Sequence, residues 1–148
     1  MTDDDLNAQG IAADDASYKT DAINDLKEVG SNYRYVRGHM CPKDAADRIS
    51  MEAGWNTHTM LNAVPQLQSQ NNGIWKKLEE KCTNWANHYE KIWVVSGPVF
   101  ANKNPNAWLG QYGEVKAAIP DAIFKVIIRK NGSGAEDITS LAFIFPNV

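Results

Sequence analysis

The sequence predicts an α+β protein, with short strands and one long amphipathic helix packed on an antiparallel sheet. Three observations carry this reading. Trp75, Leu78, Cys82, Trp85 and Tyr89 recur at alternating spacings of three and four residues, the apolar stripe of one continuous helix. The β-forming runs 122–129 and 138–145 flank Asn131-Gly132-Ser133-Gly134, the pattern of a hairpin. Residues 33–37 alternate aromatic or apolar with basic side chains, a short strand placed well before the helix.

Bulk properties bound the function. The 148 residues are 43% hydrophobic and 22% charged, which fits one globular domain with a real core. Five Trp in so short a chain point to a well-packed core or to stacking surfaces. A formal net charge of −3 excludes a globally basic protein, so any nucleic-acid surface must be a local patch. No apolar run approaches the roughly 20 residues of a membrane helix. The acidic start, Met1-Thr2-Asp3-Asp4-Asp5, lacks the basic and apolar regions of a signal peptide. Two cysteines are too few for a disulfide framework. Cys41, Cys82, His58 and His88 lack the paired spacing of a structural zinc site.

In chain order, residues 1–30 form a polar, acidic lead-in at the domain edge, and 31–148 form the domain. Gly30-Ser31-Asn32 is a turn. In the strand 33–37, a period of two puts Arg34 on one face and Tyr33, Tyr35 and Arg37 on the other. Gly38 ends or bends that strand and allows close backbone approach. His39 follows, and Pro42 forbids continuation as a central strand. Residues 43–52 read as a loop with a helical turn around Asp44 to Arg48. Residues 57–62 read as a second short strand, left through 63–66 into a polar connection. Asn71 or Asn72 suits the N-cap of the long helix, which should end near Glu90. Ile92 to Ser96 reads as a buried strand stopped by Gly97-Pro98, and 101–114 as a Gly/Pro/Asn-rich loop.

A few positions could carry chemistry. A lone histidine is more often structural, but His39 has Arg37 two residues away and Gly38 between them. Its imidazole can take a proton from water, and the guanidinium can hold a phosphate. Asn71 is a helix-start residue by type, yet a carboxamide oxygen can also ligate a hard cation. Glu79 lies about 12 Å along a straight helix from Asn71, too far for easy joint ligation. Helical side chains tilt toward the N-terminus, so Glu79 can still reach water held near Asn71. Arg34, Arg48, Lys76 and Lys77 are ordinary surface residues singly and a basic patch together. Trp75, Leu78 and Trp85 read as core. A Cys41–Cys82 bond is disfavoured, because Cys82 lies about three helical turns from the Asn71 end and Cys41 close to His39.

At these residues the chain resembles the DNA/RNA non-specific endonucleases of the ββα-metal superfamily. The resemblance rests on Arg37-Gly38-His39-Met40, Asn62-Ala63-Val64-Pro65-Gln66, Asn71-Asn72-Gly73-Ile74-Trp75-Lys76-Lys77-Leu78-Glu79 and Val94-Val95-Ser96-Gly97-Pro98. Ile119-Pro120, Phe124-Lys125-Val126 and Ala142-Phe143-Ile144-Phe145-Pro146-Asn147 are similar to that family's later strands. The short Arg-Gly-His is weak alone and strong when joined to Asn-x-Gly-x-Trp-x-x-Leu-Glu.

The resemblance implies a ββα-metal core and a role for each site residue. His39 matches the general base, and Asn71 the one protein ligand of a largely hydrated Mg²⁺, with Mn²⁺ as a substitute. Glu79 matches the acid that orients water around that metal. Arg37 matches an arginine supporting the scissile phosphate, and Asn62 a supporting asparagine. Arg34, Arg48 and Lys76 would then contact nucleic acid. The implied activity is sugar-non-specific hydrolysis of DNA and RNA that leaves 5′-phosphate ends, in an exported protein, with an inhibitor protein as a further partner.

The chain departs from the family at Val36, where an Asp is usual, and at Thr83, where some members carry Arg. The family's strands before this point and helices after it are also missing, which makes a trimmed or minimal domain the expectation. These departures motivate an alternative: a weakened nuclease fold that binds nucleic acid or a protein partner without cleaving. A third reading is hydrolysis of another phosphodiester.

Overall fold

The computed structural model describes residues 5, 8–10, 35–132 and 137–147. The expectations for the lead-in 1–30 fall almost wholly outside the described residues, as does Arg34.

Strand β1 (Tyr35–His39) pairs antiparallel with β2 (Ala63–Leu67), with His39 opposite Ala63 and Arg37 opposite Pro65. The connection between them holds α1 (Lys43–Asp47), α2 (Met51–Asn56) and a 3₁₀ turn, Met60–Asn62. After β2 come a single helical turn, α3 (Gln68–Gln70), a wide turn Asn71–Trp75, and the long helix α4 (Lys76–Tyr89). Strands β3 (Trp93–Val99), β6 (Ala122–Lys130) and β7 (Ile138–Pro146) form an antiparallel sheet in the order β3-β6-β7. A small ribbon, β4 (Ala107–Leu109) with β5 (Ala117–Ile119), completes the described architecture. The ββα unit and its supporting sheet are those the sequence predicts.

Several boundaries differ for physical reasons. β1 runs on through Gly38 and His39 because Gly38 fits against Gln66, whose Oε1 would lie 2.2 Å from a Cβ there. The second strand is 63–67 rather than 57–62. Pro65 is tolerated because β2 pairs with β1 alone, so the side without an N–H faces no second strand. Ser50 caps α2 by accepting from the Ala53 N–H at 3.0 Å, so part of the anticipated loop is helix. β3 continues through Gly97 and Pro98 to Val99, since it is an edge strand. Its Trp93, Val94 and Val95 are exposed, not buried. Neither Asn71 nor Asn72 caps α4, because helical backbone leads into it from the preceding turn.

One residue near the end of the chain fastens the two layers. The buried Asn147 side chain accepts from Leu67 N–H at 2.9 Å and donates to the carbonyls of Pro65 and Pro120, each at 3.0 Å. Those bonds tie β2 to the sheet and satisfy a buried amide that would otherwise cost about 1–3 kcal/mol. Trp75, Ile123 and Ile127 are buried, and Leu109 with Ile119 forms a core cluster against Tyr35 and Met60.

Candidate active site

The backbone around His39 is held from both sides. Behind it, the Trp75 indole N–H donates to the His39 carbonyl at 3.3 Å, and Trp75 is only 1% exposed. Ahead of it, Asn62 grips the chain at Cys41. Its Oδ1 accepts from Cys41 N–H at 2.9 Å, and its Nδ2 donates to Cys41 O at 2.8 Å and Thr57 O at 3.0 Å. The Met40 N–H donates to the Asn62 carbonyl at 2.8 Å. Asn62 therefore acts on segment 39–41 through backbone bonds rather than as a wall of the site.

His39, Asn71, Lys76 and Glu79 line one open hollow of about 270 Å³, together with Pro42, Lys43, His58 and Asn72. Asn71 and Glu79 share it although a straight helix would set them about 12 Å apart. The chain breaks from helical geometry at Gly73 (φ −100°, ψ −107°), between the turn that carries Asn71 and the helix that carries Glu79. Arg37 does not line this hollow; it sits half-buried on β1 opposite Pro65. Arg48 lies elsewhere, donating to Asn87 Oδ1 at 2.7 Å and lining a second hollow.

Two residues that the motif reading missed stand next to the site. His58 packs edge-on against His39, with ring centroids 6.0 Å apart. Lys125 is 1% exposed, lies 4.1 Å over the Trp75 ring, and approaches Glu79 at 3.9 Å. A charged letter inside the apolar run 122–128 was the available signal for Lys125. His58 had no comparable signal, because its meeting with His39 is made by the turn before β2.

The electrostatics follow from burial. Partial burial pushes the Glu79 carboxyl above the usual carboxylate range, and the Lys125 ammonium opposes that rise. Burial also lowers Lys125, while Glu79 holds it up. Glu79 thus stands at the edge of the hollow with its pKa raised by burial and a cation behind it.

Among the described residues no cluster of three His, Cys, Asp or Glu side chains forms a metal cage. The hollow fits a different kind of centre. Asn71 and Glu79 offer hard oxygen donors beside room for several waters at about 30 Å³ each. A cation that keeps most of its hydration suits that combination. Cys41 and Cys82 are free thiols, as expected, although both line the second hollow.

Comparison with known proteins agrees with the motifs. The family model for DNA/RNA non-specific endonucleases matches residues 2–148. The chain is 33% identical to the mitochondrial nuclease EXOG of Mus musculus over 132 residues, covering 85% of this chain and 36% of that protein. Against mitochondrial EXOG of Homo sapiens it is 33% identical over 125 residues, 80% of this chain and 33% of that protein. Against that of Danio rerio the identity is 32%, over 76% of this chain and 34% of the relative. The chain thus spans about a third of the length of these relatives. Their names place them in mitochondria, which overturns the expectation of an exported protein. No helix among the described residues is long and apolar enough to cross a membrane.

Proposed function

The chain belongs to the DNA/RNA non-specific endonuclease family, and from that premise we propose that it hydrolyses phosphodiester bonds of DNA and RNA. The observation that carries the reading is the convergence of His39, Asn71 and Glu79 on one solvent-open hollow. His39 takes the proton of the attacking water at its imidazole. Glu79 accepts hydrogen bonds from waters in the hollow and fixes their orientation. Lys76 holds phosphate oxygens at the rim, and Arg37, on the His39 face of β1, supports the phosphate from that strand. Asn71 would hold a hydrated divalent cation, Mg²⁺ with Mn²⁺ as a substitute. That ion, when bound, supplies Lewis-acid stabilisation of the charge developing on the phosphate. Phosphate and sugar contacts carry no base information, so cleavage has little sequence preference. The relatives' compartment favours a mitochondrial setting.

The test is digestion of supercoiled plasmid and of RNA, with and without EDTA, by the protein and by His39→Ala. EDTA should abolish cleavage, and His39→Ala should lower it by about 10²-fold or more. Unchanged cleavage by His39→Ala removes His39 as the base. Salt-dependent DNA binding with no turnover by the unaltered chain would favour a binding module instead, the reading that Val36 and Thr83 motivate.

A further inference from the structure

We propose that Trp55 is a stacking platform for an unpaired base next to the phosphate handled at His39, so that the site prefers single-stranded nucleic acid to intact duplex. The proposal rests on the nuclease reading and names the substrate form that this hollow prefers.

A line of rings leads out of the hollow. The His39 and His58 rings meet edge-on with centroids 6.0 Å apart, and the His58 and Trp55 rings meet at 6.1 Å, tilted by 55°. The histidines line the hollow, and Trp55 stands one ring beyond them. Trp55 is 66% exposed, whereas Trp75 behind the same site is 1% exposed. A large indole left in water beside a polar hollow has its apolar face available to a ligand. Trp55 lies outside the lining but packs on His58, which is part of it, whereas the exposed Trp93 and Trp108 lie on β3 and β4.

The platform is fixed without using the indole. Ser50 caps the start of α2. Gly54, directly before Trp55, lies so close to α1 that a Cβ would come within 1.7 Å of Asp47 Oδ1. The Thr57 hydroxyl donates to Gly54 O at 2.7 Å, and Asn62 holds the Thr57 carbonyl. Trp55 therefore projects from a helical turn anchored at both ends, which lowers the entropy lost on stacking.

The chemistry of the partner follows. Lys76 on the hollow can take a backbone phosphate, while Lys43, also on the hollow, is paired with Asp47 at 2.5 Å; neither reads bases. An aromatic face accepts any base, so stacking adds affinity without adding sequence preference. Within a duplex each base already has neighbours on its faces. Only an unpaired base, at a single strand, gap, loop or frayed end, can turn a face to Trp55.

Two readouts test this on the full chain. The first is kcat/KM for a single-stranded oligonucleotide and for its duplex, with the unaltered protein, Trp55→Ala and Trp55→Phe. Trp55→Ala should lose about 10-fold on the single strand, within the 5- to 150-fold range of one stacked base, and change less than about two-fold on the duplex. Trp55→Phe should keep most of the single-strand rate. The second readout is fluorescence-anisotropy binding of the same oligonucleotides in EDTA, where turnover plays no part. It should show the same selective, Phe-rescued loss. Equal losses on both substrates, no loss on either, or failure of Phe to rescue would overturn the platform. Selective binding without cleavage by the unaltered chain would uphold Trp55 and refute the nuclease reading instead. Trp55 is exposed, so the melting temperatures of both variants should match that of the unaltered protein.

Discussion

Glu79 stands in the wall between two hollows that differ in what they offer. The larger, about 800 Å³, lies between α1, α4 and β3. Met40, Ile49, Ile92 and Val94 line it, and Lys125 and Ser96 are its polar contributions from the sheet. The smaller, about 270 Å³, carries His39, His58, Asn71 and two lysines. Size alone selects the first, and chemistry selects the second. The larger also carries Arg48, Asn62, Thr83, Glu90 and Lys91, so the contrast is not one of polar against apolar walls; only the smaller brings an imidazole together with a carboxamide and a carboxylate. The larger hollow instead houses the cation that acts on Glu79 from behind. The Glu79 carboxyl between the two is raised in pKa by burial, and Lys125 opposes that rise.

The largest effect that could break this contrast is at Asn71. Asn71→Ala removes the proposed protein ligand and should cost at least the 10- to 100-fold of an outer-shell loss in turnover. Part of that loss should return as the divalent cation concentration is raised. A titration of activity against Mg²⁺ checks it, and an unchanged activation curve would move the cation out of the small hollow.

Lys125→Met comes next. Burial raises the Glu79 pKa, and the Lys125 charge is the larger of two opposing influences, beside a Trp75 hydrogen bond, so its removal raises that pKa further. Cleavage that needs the Glu79 carboxylate is lost as pH falls through that pKa. The acid limb of the pH–rate profile should therefore move to higher pH. At a pH below the limb, each unit of movement costs about tenfold in rate. Recovery at alkaline pH would mark Lys125 as acting through Glu79. A parallel loss at every pH would reduce it to packing on Trp75.

How much of this could be read from the sequence depended on whether local pattern or distant packing decided each element. The strands β6 and β7 were legible because period-two apolar runs flank a glycine-rich turn. The helix α4 was legible from its stripe, and it ends near Glu90 as expected, where the backbone turns to a positive φ of 63°. The second strand was misplaced. Thr57-His58-Thr59 mimics alternation, while the real β2 contains Pro65 and is fastened by Asn147, a residue 82 positions further on. The extent of β3 was hidden because a proline rule applies differently at an edge, and sequence does not say which strand is the edge. In the site, His39, Asn71 and Glu79 were legible as types at family spacing. Their meeting with His58 and Lys125 was not, since those contacts come from a loop and from the far sheet.

The smallest expected effect is at Arg48, and it sharpens the contrast most directly. Arg48 was placed in the nucleic-acid patch by type, yet it lines the larger hollow and spends a hydrogen bond on Asn87. If phosphate passes only through the smaller hollow, Arg48→Ala should leave kcat/KM within about two-fold. Its cost should instead fall on stability, about 0.5–1.5 kcal/mol for one exposed hydrogen bond, read as a lower melting temperature. The salt dependence of DNA binding separates the two roles. Loss of a phosphate contact lowers the log–log slope by about one, whereas loss of the Asn87 bond leaves it unchanged. A reduced slope with a tenfold weaker rate would mean that the nucleic acid also crosses the rim of the larger hollow. Glu79 would then divide one continuous substrate track rather than separate a reactive side from a supporting one.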